Sequence, residues 1–232
     1  MLLFYRRRQL KKTELMRQVE TSGAGAISSV APGTLVEVKG TIRCEEPLTS
    51  EMSEHSCAYY LSRVVREYQE TERDSDGDME TRRRSEVVAS NERFAPFAVE
   101  DETGAVGVRG EGAEVDAIEV MNRFERDTGG GSSITLGGLT VNLGGGDRTI
   151  GYRYEESILK VDAPVYVLGA VQEDGQIGTP AVSEGEGRFL ISYRSEEQLE
   201  QKYRKVAFWQ ALIAAGLFLF GAVFVVIGVL AG

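Results

Sequence analysis

Apolar and polar positions alternate along residues 33–42, GTLVEVKGTI, with Leu35 and Val36 leading a half-buried strand that runs to Ile42. Residues 57–68, CAYYLSRVVREY, are rich in aromatic and β-branched side chains and read as a second strand. Residues 67–84 are charged and contain Asp76-Gly77, a hairpin-turn signal, after which 85–90 returns as a strand. FAPFAVEDETGAVGV, residues 94–108, reads as two strands around the turn 101–104. VYVLGAV, 165–171, is a buried strand that Glu173, Asp174 and Gly175 turn into the next, and FLISY, 189–193, is the last. Ser195, with Glu196 and Glu197 in the first turn, caps a helix expected over 195–205.

That helix runs into the strongest pattern in the chain. Residues 206–230 read VAFWQALIAAGLFLFGAVFVVIGVL, 25 positions without a charge and with Gln210 the one strongly polar group. As a helix this is roughly 37 Å long, more than the ~30 Å hydrocarbon core of a bilayer. A transmembrane helix is therefore expected. Lys202, Arg204 and Lys205 precede it, so the positive-inside rule puts the domain before it in the cytoplasm. Ala207, Ala211 and Ala215 form a small-residue face suited either to another helix or to lipid. At the other end the apolar residues 1–5 run straight into Arg6, Arg7 and Arg8. This reads as the end of a first span that begins upstream, or as a basic amphipathic leader on anionic lipid.

Several short strands, no βαβ rhythm and few helices predict a mainly β fold with some α: a small, partly open, OB-like β-barrel with insertions, which this pattern does not separate from a sandwich, followed by the C-terminal transmembrane helix. The expected organisation is a basic leader over 1–30, a β-rich domain over 31–200 and the span over 206–230. Within the domain, 129–146 (GGGSSITLGGLTVNLGGG) reads as a glycine-rich hairpin insertion. It lacks the Lys-Ser/Thr and the strand-to-helix setting of a phosphate loop.

Composition narrows the chemistry. Of 232 residues 42% are hydrophobic, enough for a packed core, and 27% are charged. Asp and Glu total 36 against 26 Lys and Arg, a net charge of -10. That opposes nonspecific nucleic-acid binding, which needs a basic surface. The basic residues are 20 Arg and 6 Lys, a bias of GC-rich genomes or salt-loving hosts. Cys44, Cys57 and His55 are too few for a disulfide framework or for a four-ligand zinc site. The acidic run Asp74, Asp76, Asp78 places Gly77 and Ser85 where a calcium loop needs other residues, and reads as a solvated hairpin tip. Asp101 precedes Thr103-Gly104 as a turn residue rather than as a catalytic acid. A Ser/His/Asp triad has only His55 to use, without a G-x-S-x-G. No catalytic, cofactor-binding or metal-binding residue is therefore assigned. Arg82, Arg83 and Arg84 with Tyr59 and Tyr60 are the one basic-plus-aromatic set that nucleic acid or an oligosaccharide could use.

The motifs VEVKGTI (36–42), EPLTSEMSEHSCAYY (46–60), RVVREY (63–68), RFAPFAVEDETGAVGV (93–108), YEESILKVDAPVYVLGAV (154–171) and RFLISYRSEEQL (188–199), followed by a basic junction and a span, come in an order that resembles the GIDE family. The likeness covers about residues 34–225. Animal members of that family are mitochondrial, membrane-anchored RING-type ubiquitin and SUMO ligases. Their membrane-side domain lies between two spans, and the RING follows the second. Here the sequence stops at Gly232, where the RING would begin, and two Cys and one His cannot build one elsewhere. The resemblance thus implies a membrane-anchored, non-catalytic protein-binding or scaffolding module. Its partners are lipid through the C-terminal helix and a protein not yet identified, or copies of itself. The hairpin tip over 72–84 and the 129–146 insertion are the loops expected to carry recognition. A ligase component working with a separate RING, and an OB-like nucleic-acid or oligosaccharide binder, are the competing readings.

Overall fold

The computed structural model describes residues 21–73, 78–127, 132–136, 139–143, 148–180 and 189–194. The span expected over 206–230, the helix over 195–205 and residues 1–20 of the leader expected over 1–30 lie outside them. Among the described residues no helix is long and apolar enough to cross a membrane. Their helical structure is a 3-10 turn, Ala24–Ser29, and the rest is strands and connections. In order these are β1 (Leu35–Arg43), β2 (Leu48–Thr49), β3 (Ser56–Arg73), β4 (Met79–Phe94), β5 (Phe97–Asp101), β6 (Gly104–Val108) and β7 (Glu114–Asp116). Then follow β8 (Ile118–Arg126), β9 (Ser132–Leu136), β10 (Leu139–Leu143), β11 (Arg148–Lys160), β12 (Pro164–Val171), β13 (Ile177–Gly178) and β14 (Leu190–Ser192).

The alternation in β1 puts Val36, Val38 and Ile42 on one face, where each is almost completely buried. β12 answers with Val165, Val167 and Val171 across an antiparallel ladder from Leu35↔Ala170 to Thr41↔Pro164. β1 also pairs at its far end with β5, through Thr41↔Glu100 to Arg43↔Ala98. Gly40 sits where these two pairings meet. A Cβ there would lie 2.4 Å from the Glu100 carbonyl oxygen, so only glycine lets β5 approach. β5 and β6 form the hairpin around 101–104, β6 touches β13 in parallel at Val108↔Ile177, and β13 returns antiparallel on β12. The sheet therefore curls until β1 has β5 on one side and β12 on the other. Phe97, Val99, Val106, Val108, Ile177 and Ile191 fill the interior.

A second sheet leaves this body as a long arm. β3 is 18 residues, about 60 Å at 3.3 Å per residue. It is flanked by β4 over Tyr59↔Phe94 to Arg73↔Met79 and by β11 over Cys57↔Lys160 to Gln69↔Arg148, and β8 borders β11. β3 and β4 pair antiparallel out to Arg73↔Met79, so the strands continue through the charged residues, and the turn expected at Asp76-Gly77 lies outside the described residues. The insertion hairpin β9–β10 pairs from Leu139↔Leu136 to Leu143↔Ser132, as its ITL and LTV pieces suggested. Leu136 is buried against Val64 and Tyr152, which lays this hairpin on one face of the arm.

Candidate functional site

The arm holds itself together with cross-strand ion pairs. Arg153 of β11 donates to Glu67 of β3 (Nη2–Oε1 2.6 Å) and to Asn122 of β8 (3.2 Å) while lying over the Phe124 ring. Arg66 of β3 joins Glu86 of β4 and Thr149 of β11, each at 2.9 Å, and stacks on Tyr68. Arg63 meets Glu155 at 3.0 Å, and Arg84 meets Glu70 at 2.9 Å. These pairs sit directly opposite or two positions off on the same face across the ladders, which is how charged residues stabilise a sheet too polar to bury. This is why residues 67–73 and 79–84, charged in sequence, form strands.

Two carboxylates are nearly inaccessible. Glu156 of β11 is fully buried. It accepts hydrogen bonds from the Met52 amide (2.9 Å), the Ser53 amide (2.8 Å), the Ser53 hydroxyl and the Ser62 hydroxyl (2.6 Å). Burial pushes its carboxyl upward, but the hydroxyl and amide donors outweigh that and hold it below the usual glutamate value. Three of the four donors come from a loop tied around Ser50, and the Ser62 hydroxyl comes from β3. The Ser50 amide donates to the His55 carbonyl at 2.9 Å, and the His55 amide donates to the Ser50 hydroxyl at 3.0 Å. Glu37 of β1 lies outside the barrel and is 1% exposed. It accepts from the Thr21 hydroxyl at 2.7 Å and the Tyr166 hydroxyl at 2.9 Å, with Lys39 Nζ 3.2 Å away. Neither carboxylate was singled out by the sequence. In 154–160 nothing separates the inward Glu156 from the exposed-side Glu155, because the face each takes depends on the register with β3.

The residues that were singled out serve structure. Asp101 accepts from the Thr103 hydroxyl (2.6 Å), the Thr103 amide (2.7 Å) and the Ala24 amide (2.8 Å). The Thr103 hydroxyl first, then the Ala24 amide, hold its carboxyl below the ordinary aspartate value. It is a turn residue that also anchors the 3-10 turn, whose Ala24 and Ile27 are buried. Gly25 packs so tightly on this turn that a Cβ would stand 2.1 Å from the Thr103 carbonyl oxygen. Cys44 and Cys57 are free thiols. Burial, then the nearby Glu156, pushes the Cys57 thiol up to about 11, which leaves it inert at neutral pH. His55 acts here through its backbone in the Ser50 loop. Among the described residues no three His, Cys, Asp or Glu side chains are placed to hold a metal ion. The tip residues Asp74 and Asp76 lie outside the described residues.

The basic-plus-aromatic set is split. Tyr59 and Tyr60 are both buried at the root of the arm. Tyr59 stacks on Phe94 and donates to Glu92 at 2.8 Å, and burial, then Glu92, raises its phenol. Arg82 lies across from Glu70, eleven ladder positions along β3 from Tyr59, about 36 Å at 3.3 Å per residue. These residues therefore make no common surface, because the strand that joins them is extended.

One more polar cluster closes the body. The Asp116 carboxylate of β7 receives Arg194 Nη1 at 2.9 and 3.1 Å and the Ser192 hydroxyl at 2.9 Å. Arg194 lies over the Tyr193 ring, 4.8 Å from its centre. β14 is thereby wedged between β12 and β7, and β7 leads through Ala117 into β8 of the arm.

Taken together, a partly open curled sheet carrying a long ion-paired arm defines a mainly β protein. The chain belongs to the GIDE family: the family model, described as E3 ubiquitin ligase, matches residues 67–228. The matched stretch opens in the middle of β3 and runs into the apolar residues 206–230, so β1 and the Ser50 loop precede it. No curated protein and no solved structure matches the chain.

Proposed function

We propose that the chain is a membrane-anchored, non-catalytic protein-binding or scaffolding module related to E3 ubiquitin ligases. The observation that carries this reading is the arm, a four-stranded projection tied across its strands by ion pairs. Rigid β scaffolds of this kind present surfaces to partners. Two observations support it. The acids Asp101 and Glu156 are occupied by structural hydrogen bonds, which suits bracing rather than proton transfer. The family match includes most of the apolar run 206–230, which is long enough to span a bilayer.

The barrel fits an OB-like description. The closed order β1-β5-β6-β13-β12-β1, with its single parallel contact at Val108↔Ile177, matches a five-stranded, partly open Greek-key barrel. Absence of a Val108–Ile177 contact in an NMR spectrum of the folded protein overturns that assignment.

Crosslinking with mass spectrometry on the full-length protein in its native membrane tests the function. A recurrent protein crosslinked to β3, β4, β8 or β11 supports the reading. No recurrent protein, with a monomer in detergent, removes it. The family description favours a second reading, a ligase component that needs a separate RING. Ubiquitin transfer that depends on both this chain and an added RING protein would establish it. Transfer unchanged by omitting the chain rules it out.

A further inference from the structure

The outer edge of the arm carries a self-complementary segment. Among the described residues β4 pairs with β3 alone, so its other edge presents unpaired backbone groups. Residues 79–87 are all exposed. β4 contains no Lys or Pro, and what guards its edge is arginine, glutamate and a bulge, charges that an oppositely charged edge can pair. It carries a charge pattern antisymmetric about Thr81: Asp78 and Glu80 on one side, Arg82, Arg83 and Arg84 on the other. Among the described residues it also holds the most exposed large apolar side chain, Met79, at 68%.

We propose that β4 pairs antiparallel with β4 of a second copy of this chain, on a two-fold axis through Thr81. A two-fold interface brings the same surface to both sides, so its residues must complement themselves. In this register Glu80 faces Arg82 of the other copy and Asp78 faces Arg84, each twice. Strand positions of the same parity share a face, so these four pairs form one face. On the opposite face Met79 lies against the aliphatic stem of Arg83 of the second copy, which covers it. Registers centred on Arg82, Arg83, Arg84 or Glu86 instead set like charges opposite one another, which is destabilising.

Within the hairpin the ladder sets Glu80 opposite Glu72, and Glu80 is ion-paired along its own strand with Arg82 at 2.7 Å. The second copy sets a further Arg82 directly across from Glu80, so the two intrachain pairs join into one network. The bulge at Val88, between Val64↔Ala89 and Val65↔Val87, flips the faces beyond it and confines the shared ladder to the outer part of β4. The result is one continuous sheet of two arms.

This inference rests on the arm being the interaction element. The test uses the full-length chain in its membrane, with single cysteines introduced as Thr81→Cys, Ser85→Cys or Ser90→Cys and oxidised with diamide. Thr81 pairs with itself at a Cα separation of about 5 Å, within disulfide reach. Ser85 and Ser90 stand about 26 and 59 Å from their own copies in the second chain, at 3.3 Å per residue. The expected result is a covalent dimer from Thr81→Cys alone. Glu80→Arg should abolish it, and adding Arg82→Glu should restore it. Equal crosslinking at all three positions, crosslinking at none, or failure of the charge swap to rescue overturns the proposal. Capture of another protein by the arm without a Thr81 crosslink overturns self-pairing while leaving the binding-module reading in place.

Discussion

A carboxylate removed from water costs several kcal/mol unless donors replace its hydration. Glu156 receives four such donors, three of them from residues 52 and 53. It therefore works as a latch that holds the Ser50 loop on the arm. Glu156→Gln keeps the volume but points an amide N–H2 at groups that are themselves donors. The expected loss is about 2–4 kcal/mol of stability, read from urea unfolding. The pH dependence follows from the sign of the shift. A carboxyl held below its unfolded value adds stability above the ordinary glutamate range near 4.5, and that stability is lost as pH falls through the lowered folded value. The native protein should thus lose stability on acidification below about pH 5, and Glu156→Gln should flatten that part of the curve. An unchanged acid limb in the variant removes Glu156 as its source. Nothing in the sequence marks this residue: its meaning comes from facing Ser62 across the β11–β3 ladder.

The barrel strands were legible because their alternation has a buried face to report. β1, β5, β6, β12 and β14 fall where Val, Ile, Leu and Phe recur at every second position or run together. The arm was only half legible. β11 carries Arg, Glu and Ser among its tyrosines, and its strand character depends on neighbours far along the chain, such as Glu67 for Arg153 and Ser62 for Glu156. The 3-10 turn was hidden for a similar reason, since Gly23-Ala24-Gly25 gains its role only against the 101–104 turn. Gly25→Ala should therefore cost about 1–3 kcal/mol, the usual penalty of overpacking, since its Cβ would meet a backbone carbonyl that cannot step aside. A variant as stable as the parent in thermal unfolding contradicts that packing. On the arm, the β9–β10 hairpin reports through Leu136, 5% exposed against Val64 and Tyr152. Leu136→Ala should weaken hairpin docking by about 2 kcal/mol. Hydrogen exchange should speed at β9 and β10 while β1 and β12 stay protected. Uniform acceleration across all four strands would mean that the hairpin is part of one cooperative unit with the barrel.

At the level of the whole molecule, the question is how the barrel, the arm and the chain beyond Arg194 are connected. β14 is the joint. Its three buried residues pair with β12 of the barrel on one side and with β7 on the other, and β7 passes directly into β8. The bond that secures it is the Asp116 carboxylate, which takes Arg194 through both oxygens and the Ser192 hydroxyl as well. Both partners are more than two-thirds buried, with side-chain exposures of 29% and 14%, so water screens the pair less than a surface salt bridge. Charged hydrogen bonds of this kind contribute about 1.5–3 kcal/mol each before the cost of desolvation. Asp116→Ala leaves the guanidinium without its partner and should free β14 first. The expected outcome is faster hydrogen exchange at residues 190–192 and at β7, with β5 and β6 unchanged, and a new protease cut near Arg194. Breaking the joint without loosening the barrel would establish β14 as a separable strap. Acceleration in β5 and β6 as well would instead make the pair part of the barrel's own closure, because Ile191 sits in the same interior as Val99 and Val106.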